Sequence, residues 1–194
     1  MRLLGVSIAL AGAIFLSACL PVTSKTAAGT TAGLGGDLAL LGGWQGAGKD
    51  SAEGIIVFLK NDDGSLTAVV TSKEDHGAAG SWQRFLVRTA SLGGRTFLNA
   101  REIETDGKIA EDGLAGANIP VLYKAGAKTL VLNLLDEKKV ADAIRSGSLA
   151  GAVEPGEYGD VEITADGGSL DALLGSDKAL ALFGTKPIVL RRIF

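Results

Sequence analysis

Cys19 and His76 are the single cysteine and the single histidine among 194 residues. A thiolate is a nucleophile and a soft metal ligand, and an imidazole is the side chain best suited to moving protons near neutral pH. His76 follows Lys73-Glu74-Asp75. A general base there needs a nucleophile within reach, with Ser72 and Ser81 the nearest candidates. Sequence neighbours rarely take triad geometry and no Gly-x-Ser-x-Gly elbow occurs, so the stretch reads as a solvated loop before Gly77. Zinc sites draw on several Cys or His ligands. One residue of each type cannot supply them, and neither a metal nor a cofactor is expected.

Three further patterns could carry chemistry and each has a plainer reading. Gly43-x-x-x-x-Gly48-Lys49 has the spacing of a phosphate-cradling glycine loop, but Asp50 stands where Ser or Thr must hold magnesium. Asn61-Asp62-Asp63-Gly64-Ser65 offers hard oxygen ligands for calcium. It lacks the spaced acids and distal Glu of a calcium loop, and Asp and Gly suit a hairpin turn. Glu102 and Glu104 are two apart, so a regular strand puts both on one face, as paired acids for glycoside hydrolysis or as a wet face. No enzyme is expected from these patterns.

Cys19 has a more specific context. A basic start (Met1-Arg2) leads into an apolar run from Leu3 to Leu16, then Leu16-Ser17-Ala18-Cys19. A spanning helix needs roughly 20 apolar residues, and this run is shorter and carries Gly5, Ser7 and Gly12. The n-region, h-region and small-residue site form an export signal over 1–18. Leu-Ser-Ala-Cys resembles a bacterial lipobox, which implies cleavage before Cys19 and lipidation of its thiol. The resemblance implies two or three acyl chains, enough for a stable anchor. The setting is then a Gram-negative envelope with the domain facing the periplasm. Leu20, in place of Asp, favours the outer membrane by analogy with enteric sorting rules.

Without residues 1–18 the chain carries 18 Lys and Arg against 22 Asp and Glu. That mild acidic excess is no footprint for nucleic acid, and no basic run assists the lipid in binding a membrane. With Cys19 acylated no disulfide can form, so an apolar core must stabilise the fold. The remaining 176 residues suffice for one domain. Gly is frequent, at 28, and aromatics make up 5%, which suits short strands and tight turns.

Residues 20–36, rich in Ala, Gly and Thr, read with Cys19 as a flexible tether over 19–36, on the order of 20–25 Å end to end. The single folded domain is expected over 37–194. Strands are predicted at 55–59 and 66–71, joined by the Asn61–Gly64 turn, then at 81–90, 95–103, 119–124, 128–135, 160–165 and 187–193. Pro120 suggests an edge or bulge. A helix is predicted over 136–145, acidic at its start and stopped at Gly147. A second runs from Ser169 as N-cap to Phe183, with a break near 175–177. Many strands followed by two late helices predict a β-rich α+β fold with a mainly antiparallel, barrel-like sheet.

Gly42-Gly43-Trp44 opens the domain and Arg191-Arg192 lie in its terminal strand. These residues resemble the calycin and lipocalin group, whose first strand carries Gly-x-Trp and whose last-strand arginine packs over that tryptophan at the closed barrel end. Strand parity does not choose between Arg191 and Arg192. Phe97-Leu98-Asn99, the helix over 136–145 and the ending LFGTKPIVLRRI also resemble uncharacterised proteobacterial lipoproteins with lipocalin-like domains. The resemblance implies a calycin-like barrel whose mouth holds the function. Candidate lining residues are Phe58, Trp82, Phe85, Phe97 and Tyr123, large apolar bodies that serve equally as core. The expected role is binding of a small apolar ligand or an envelope partner. The alternative is a periplasmic inhibitor or assembly factor acting through protein contact.

Overall fold

Alternating apolar residues become the inner lining of a closed barrel. The computed structural model describes residues 21–46, 54–71, 80–110, 116–155 and 160–194. In chain order the strands are β1 (Thr23–Ser24), β2 (Gly42–Gly46), β3 (Ile55–Lys60), β4 (Leu66–Thr71), β5 (Trp82–Leu92) and β6 (Arg95–Thr105). They continue with β7 (Lys108–Ile109), β8 (Ile119–Ala125), β9 (Thr129–Leu134), β10 (Gly151–Val153), β11 (Val161–Ile163) and β12 (Ile188–Arg192). The wall runs β2-β3-β4-β5-β6-β8-β9-β12 and returns to β2, antiparallel at every step. Closure leaves none of these eight strands with a free edge.

Residues two apart share a face of a strand. Ile56 and Phe58, Phe85 and Val87, Val121 and Tyr123, and Leu130 and Leu132 therefore all turn inward and are buried together. The Asn61–Ser65 turn joins β3 to β4, with Asn61 N–H donating to Ser65 O at 2.9 Å and Gly64 at φ +81°. Pro120 lies inside β8, but the ladder to β9 reaches only Val121. The missing N–H of Pro120 thus falls where β9 has ended.

A second core covers one outer side of the barrel. Phe97 and Leu92 pack there with Val140, Leu170, Leu174 and Phe183, and the rings of Phe97 and Phe183 lie 6.2 Å apart. The covering layer comes from the crossover between β9 and β12. It holds α1 (Glu137–Arg145), α2 (Gly167–Gly175), a 3-10 turn over Asp177–Leu182 and the strands β10 and β11, to which β1 of the N-terminal segment adds to make a small sheet ordered β1-β11-β10. Asp136 caps α1 by accepting from Lys139 N–H, and Gly147 ends it at φ +76°. The second helix starts earlier than the sequence predicts. Asp166, not Ser169, is the N-cap, its carboxylate accepting from both the N–H and the hydroxyl of Ser169. The predicted break falls at Ser176.

The predicted tether is corrected from residue 21 onward. Residues 21–36 are a strap laid across the barrel wall, and Val22, Ser24 and Ala28 are buried. Ala28 exchanges both backbone bonds with the buried amide of Asn99 on β6, at 2.7 and 2.8 Å. Asp171 on α2 accepts from Gly29 N–H, Thr31 N–H and the Thr31 hydroxyl. Gly29, at φ +92°, approaches so closely that a Cβ would sit 1.9 Å from Cβ of Ala90. Ala, Gly and Thr with little periodicity suggested a coil, but small residues are what allow a backbone to lie flat on a strand. The strap therefore depends on partners more than 70 residues away in sequence.

Asp171→Asn replaces an oxygen that accepts from the strap with an amide that donates. It is expected to cost about 1–3 kcal/mol and to expose residues 21–36 first. Amide hydrogen exchange checks this, and unchanged protection of the strap would count against the assignment.

Candidate functional site

One end of the barrel is plugged. Asp37 caps a 3-10 turn over Leu38–Leu40 by accepting from Ala39 N–H, and the turn drives Leu40 fully inside. Trp44, also fully buried, donates from Nε1 to Leu40 O at 2.7 Å. The structure resolves the choice between the two arginines. The guanidinium of Arg192 lies 4.1 Å from the centroid of the Trp44 ring, while Arg191 faces outward and is exposed. Arg192 donates from Nε to Ala127 O at 2.9 Å, from Nη2 to Ala39 O at 2.7 Å, and from Nη1 to Leu41 O. One cation thus ties the plug, the last strand and the β8–β9 turn together. A fixed planar fork can reach several carbonyls while stacking on a ring, which an ammonium cannot.

Gly42 and Gly43 make room for the C-terminus. A Cβ on Gly43 would meet the ring of Phe194 at 2.4 Å, and Gly42 takes φ +109° beside Phe194 O. Tyr123 completes this end by donating its hydroxyl to Asp37 Oδ2 at 2.8 Å. Burial, and then the Asp37 carboxylate, raise its pKa well above the ordinary phenol range.

The other end is the mouth. Ile56, Phe58, Ala68, Val70, Phe85, Val87, Leu98, Ala100, Ile119, Val121 and Leu132 line a narrow space of about 30 Å³. That holds a water or a methyl-sized group, far below the roughly 300 Å³ at which drug-sized pockets begin. Two polar groups lie above this slot. Gln83 is paired with Val70 on the inner face, and its buried Oε1 has no hydrogen-bond partner among the described residues. Glu102 accepts from the Thr105 hydroxyl at 2.6 Å. The expectation that Glu102 and Glu104 share a face is corrected here. A bulge puts Glu102 opposite Phe85 but Glu104 opposite Arg84, where an ion pair of 2.5 Å forms.

Of the candidate lining residues, Phe58 and Phe85 flank the slot. Tyr123 is inside the barrel but belongs to the plugged end. Trp82 stands half-buried on the rim, paired with Thr71 and held by its N–H donating to Asp106 Oδ1 at 2.8 Å. Phe97 is misplaced by the sequence reading. Its parity is opposite to that of Leu98, so it faces outward into the second core. Cys19, Lys49, Asp50, Ser72 and His76 lie outside the described residues. No group of three His, Cys, Asp or Glu able to hold a metal occurs among the described residues. Sequence reasoning missed Asp37, Leu40 and Gln83. Asp37 ahead of an apolar triplet was a readable cap, whereas the inward turn of Gln83 depends on register.

The geometry is that of a closed eight-stranded antiparallel barrel, shut at one end by a stacked tryptophan and arginine and with a narrow apolar slot toward the other. Comparison with family models, curated proteins and solved structures found no match for the chain.

Arg192→Ala removes a cation–π contact and three carbonyl partners. A loss of roughly 2–4 kcal/mol is expected in denaturant unfolding, against less than about 0.5 kcal/mol for exposed Arg191→Ala. Equal effects would sink the assignment of the clamp to Arg192. The Tyr123 contribution carries a pH sign. A phenol whose pKa is raised by folding contributes stability that is intact below its unfolded value of about 10 and is lost as pH rises above it. Unfolding midpoints should fall more steeply above pH ~10 in the wild type than in Tyr123→Phe.

Proposed function

We propose that this chain is a non-enzymatic lipoprotein of the Gram-negative cell envelope. Acyl chains on Cys19 hold it to the membrane, in the outer membrane by the Leu20 rule, and its barrel faces the periplasm. Its work is contact with another envelope component. The observation that carries this reading is the narrow barrel interior, plugged at one end by Leu40 and Trp44, whose apolar slot among the described residues has a volume of about 30 Å³. A lipid-sized ligand does not fit there, so recognition falls to the barrel's outer surface and rims, as in an inhibitor or assembly factor. The wholly apolar lining of the slot favours one narrower version of the ligand reading, in which a partner inserts a methyl-sized apolar group at the mouth. Among the described residues no helix is long and apolar enough to cross a membrane, and the acyl chains are the proposed attachment.

Intact mass of the membrane-extracted chain should exceed that of residues 19–194 by two or three acyl chains. Cys19→Ser should lose the added mass and release the domain, and an unmodified mass for the wild type would end the anchor reading. Ala100→Val grows into the slot. It is expected to leave surface-mediated partner binding unchanged within twofold in a pull-down from envelope extract. A stoichiometric lipid in the delipidated extract of the wild type, displaced by Ala100→Val, would favour a carrier instead.

A further inference from the structure

We propose that the plugged end of the barrel is the docking surface for a protein partner, and that the groove beside Lys128, Arg191 and Phe194 takes an extended acidic peptide segment carrying apolar side chains. The proposal deepens the contact reading above and rests on it. The connections at this end, over 37–41, 61–65, 93–94 and 126–128, all lie within the described residues. Large apolar side chains are exposed around it, namely Leu38, Leu59, Ile193 and Phe194, the last 68% exposed. Lys128, Thr129, Arg191, Ile193 and Phe194 border an open groove of about 630 Å³ between the β8–β9 turn and the end of β12. The slot inside the mouth has about 30 Å³, so of these two spaces the groove is the one with room for a peptide segment.

The charge of the groove selects the partner. Lys128 and Arg191 are exposed, and neither forms an ion pair among the described residues. No Asp or Glu lines the groove, and the carboxylate of Phe194 is turned toward Gly43, whose N–H donates to it at 3.2 Å. Two uncompensated cations beside two exposed apolar side chains complement a segment that alternates acids with apolar residues. The backbone offers an edge as well. Arg192 N–H donates to Lys128 O at 3.0 Å on one side of the chain, and Ile193 N–H to Gly43 O at 2.8 Å on the other. By that alternation Phe194 N–H returns to the first side, past the residue where β9 begins, where an added strand would meet it. A bilayer also attracts cations and apolar side chains. However, the first described residues enter at the mouth, where Ser24 and Asn118 exchange backbone bonds at 2.7 and 2.9 Å. Cys19 is three residues before Val22, a reach of about 10 Å. The plugged end is thus the end away from the proposed anchor, which favours a protein over the lipid.

The test uses the full-length chain, in detergent micelles and in phosphatidylethanolamine–phosphatidylglycerol vesicles, with short fluorescein-labelled peptides read by anisotropy. A peptide alternating glutamate and leucine should bind at least fivefold more tightly than its glutamine–leucine and glutamate–serine counterparts, and more weakly as salt is raised. Lys128→Glu combined with Arg191→Glu should cut that affinity at least fivefold at an unchanged unfolding midpoint. Lys108→Glu combined with Ile109→Ser, at the mouth, should change it less than twofold. Equal binding of the three peptides, or equal losses in the two double variants, overturns the proposal. Binding in micelles that is abolished in the vesicles gives the groove to lipid and overturns it too. Intact mass reads the anchor separately: missing acyl chains would end the lipoprotein reading, while failed peptide contrasts on an acylated chain end only the groove assignment.

Discussion

An antiparallel barrel can satisfy every backbone group in its wall and still be open at both ends, where water reaches its apolar lining. In this protein the stack of Arg192 on Trp44 shuts one end, and much of the remaining structure depends on it. The indole has to be buried, which requires a partner for its N–H, and Leu40 O supplies one. That carbonyl is in place only because Asp37 starts a 3-10 turn at the barrel base. Arg192 then satisfies carbonyls of the same segment from outside. A cation over an indole face, with its N–H groups bonded to backbone oxygens, retains hydrogen bonding while losing water, so its burial is tolerable.

The crossover between β9 and β12 solves a different problem. The apolar outer residues Leu92, Phe97 and Leu122 would face water on a bare barrel, and α1, α2 and the small sheet cover them. The strap over residues 21–36 joins the two bodies, using Asn99 on the barrel and Asp171 on the helical layer. Both anchors are buried polar side chains whose bonds go to backbone groups of the strap, where an unpaired alternative would be costly. Gly29 and Ala28 leave the space for this approach. The order of the N-terminal segment thus depends on the fold beneath it.

The two ends of the barrel also differ in what they can do. At the plugged end Trp44 Nε1, the Tyr123 hydroxyl and the Arg192 guanidinium all have hydrogen-bond partners. Among the described residues, the mouth has a buried Gln83 oxygen without a hydrogen-bond partner, an apolar slot of about 30 Å³ and an exposed Ile109 on its rim. The first described residues arrive at the mouth, where Ser24 pairs with Asn118.

Much of the wall was legible in the sequence because period-two burial is a local signal. The pairs Val121 and Tyr123, or Leu130 and Leu132, announce their face without knowledge of their neighbours. Trp44 and an arginine near the C-terminus were legible as a pair only through the resemblance of Gly42-Gly43-Trp44 and Arg191-Arg192 to the calycin and lipocalin group. Phe97 was not legible, because an outward aromatic looks the same as an inward one until a second layer is known to cover it. The bulge after Arg84 likewise moved Glu104 away from the face of Glu102 through a pairing irregularity that no spacing records.

The sequence by itself determined most of the strands, the first capped helix and the absence of any thiol besides Cys19, all of which follow from residue type and near neighbours. Only the tertiary structure decided that the barrel closes, that Arg192 and not Arg191 meets Trp44, that the slot beside Phe58 and Phe85 is narrow and that residues 21–36 are held to the wall. Each of these depends on contacts between residues far apart in the chain. The strength of such a contact is set by register, depth and solvent exclusion, and those exist only once the strands have paired.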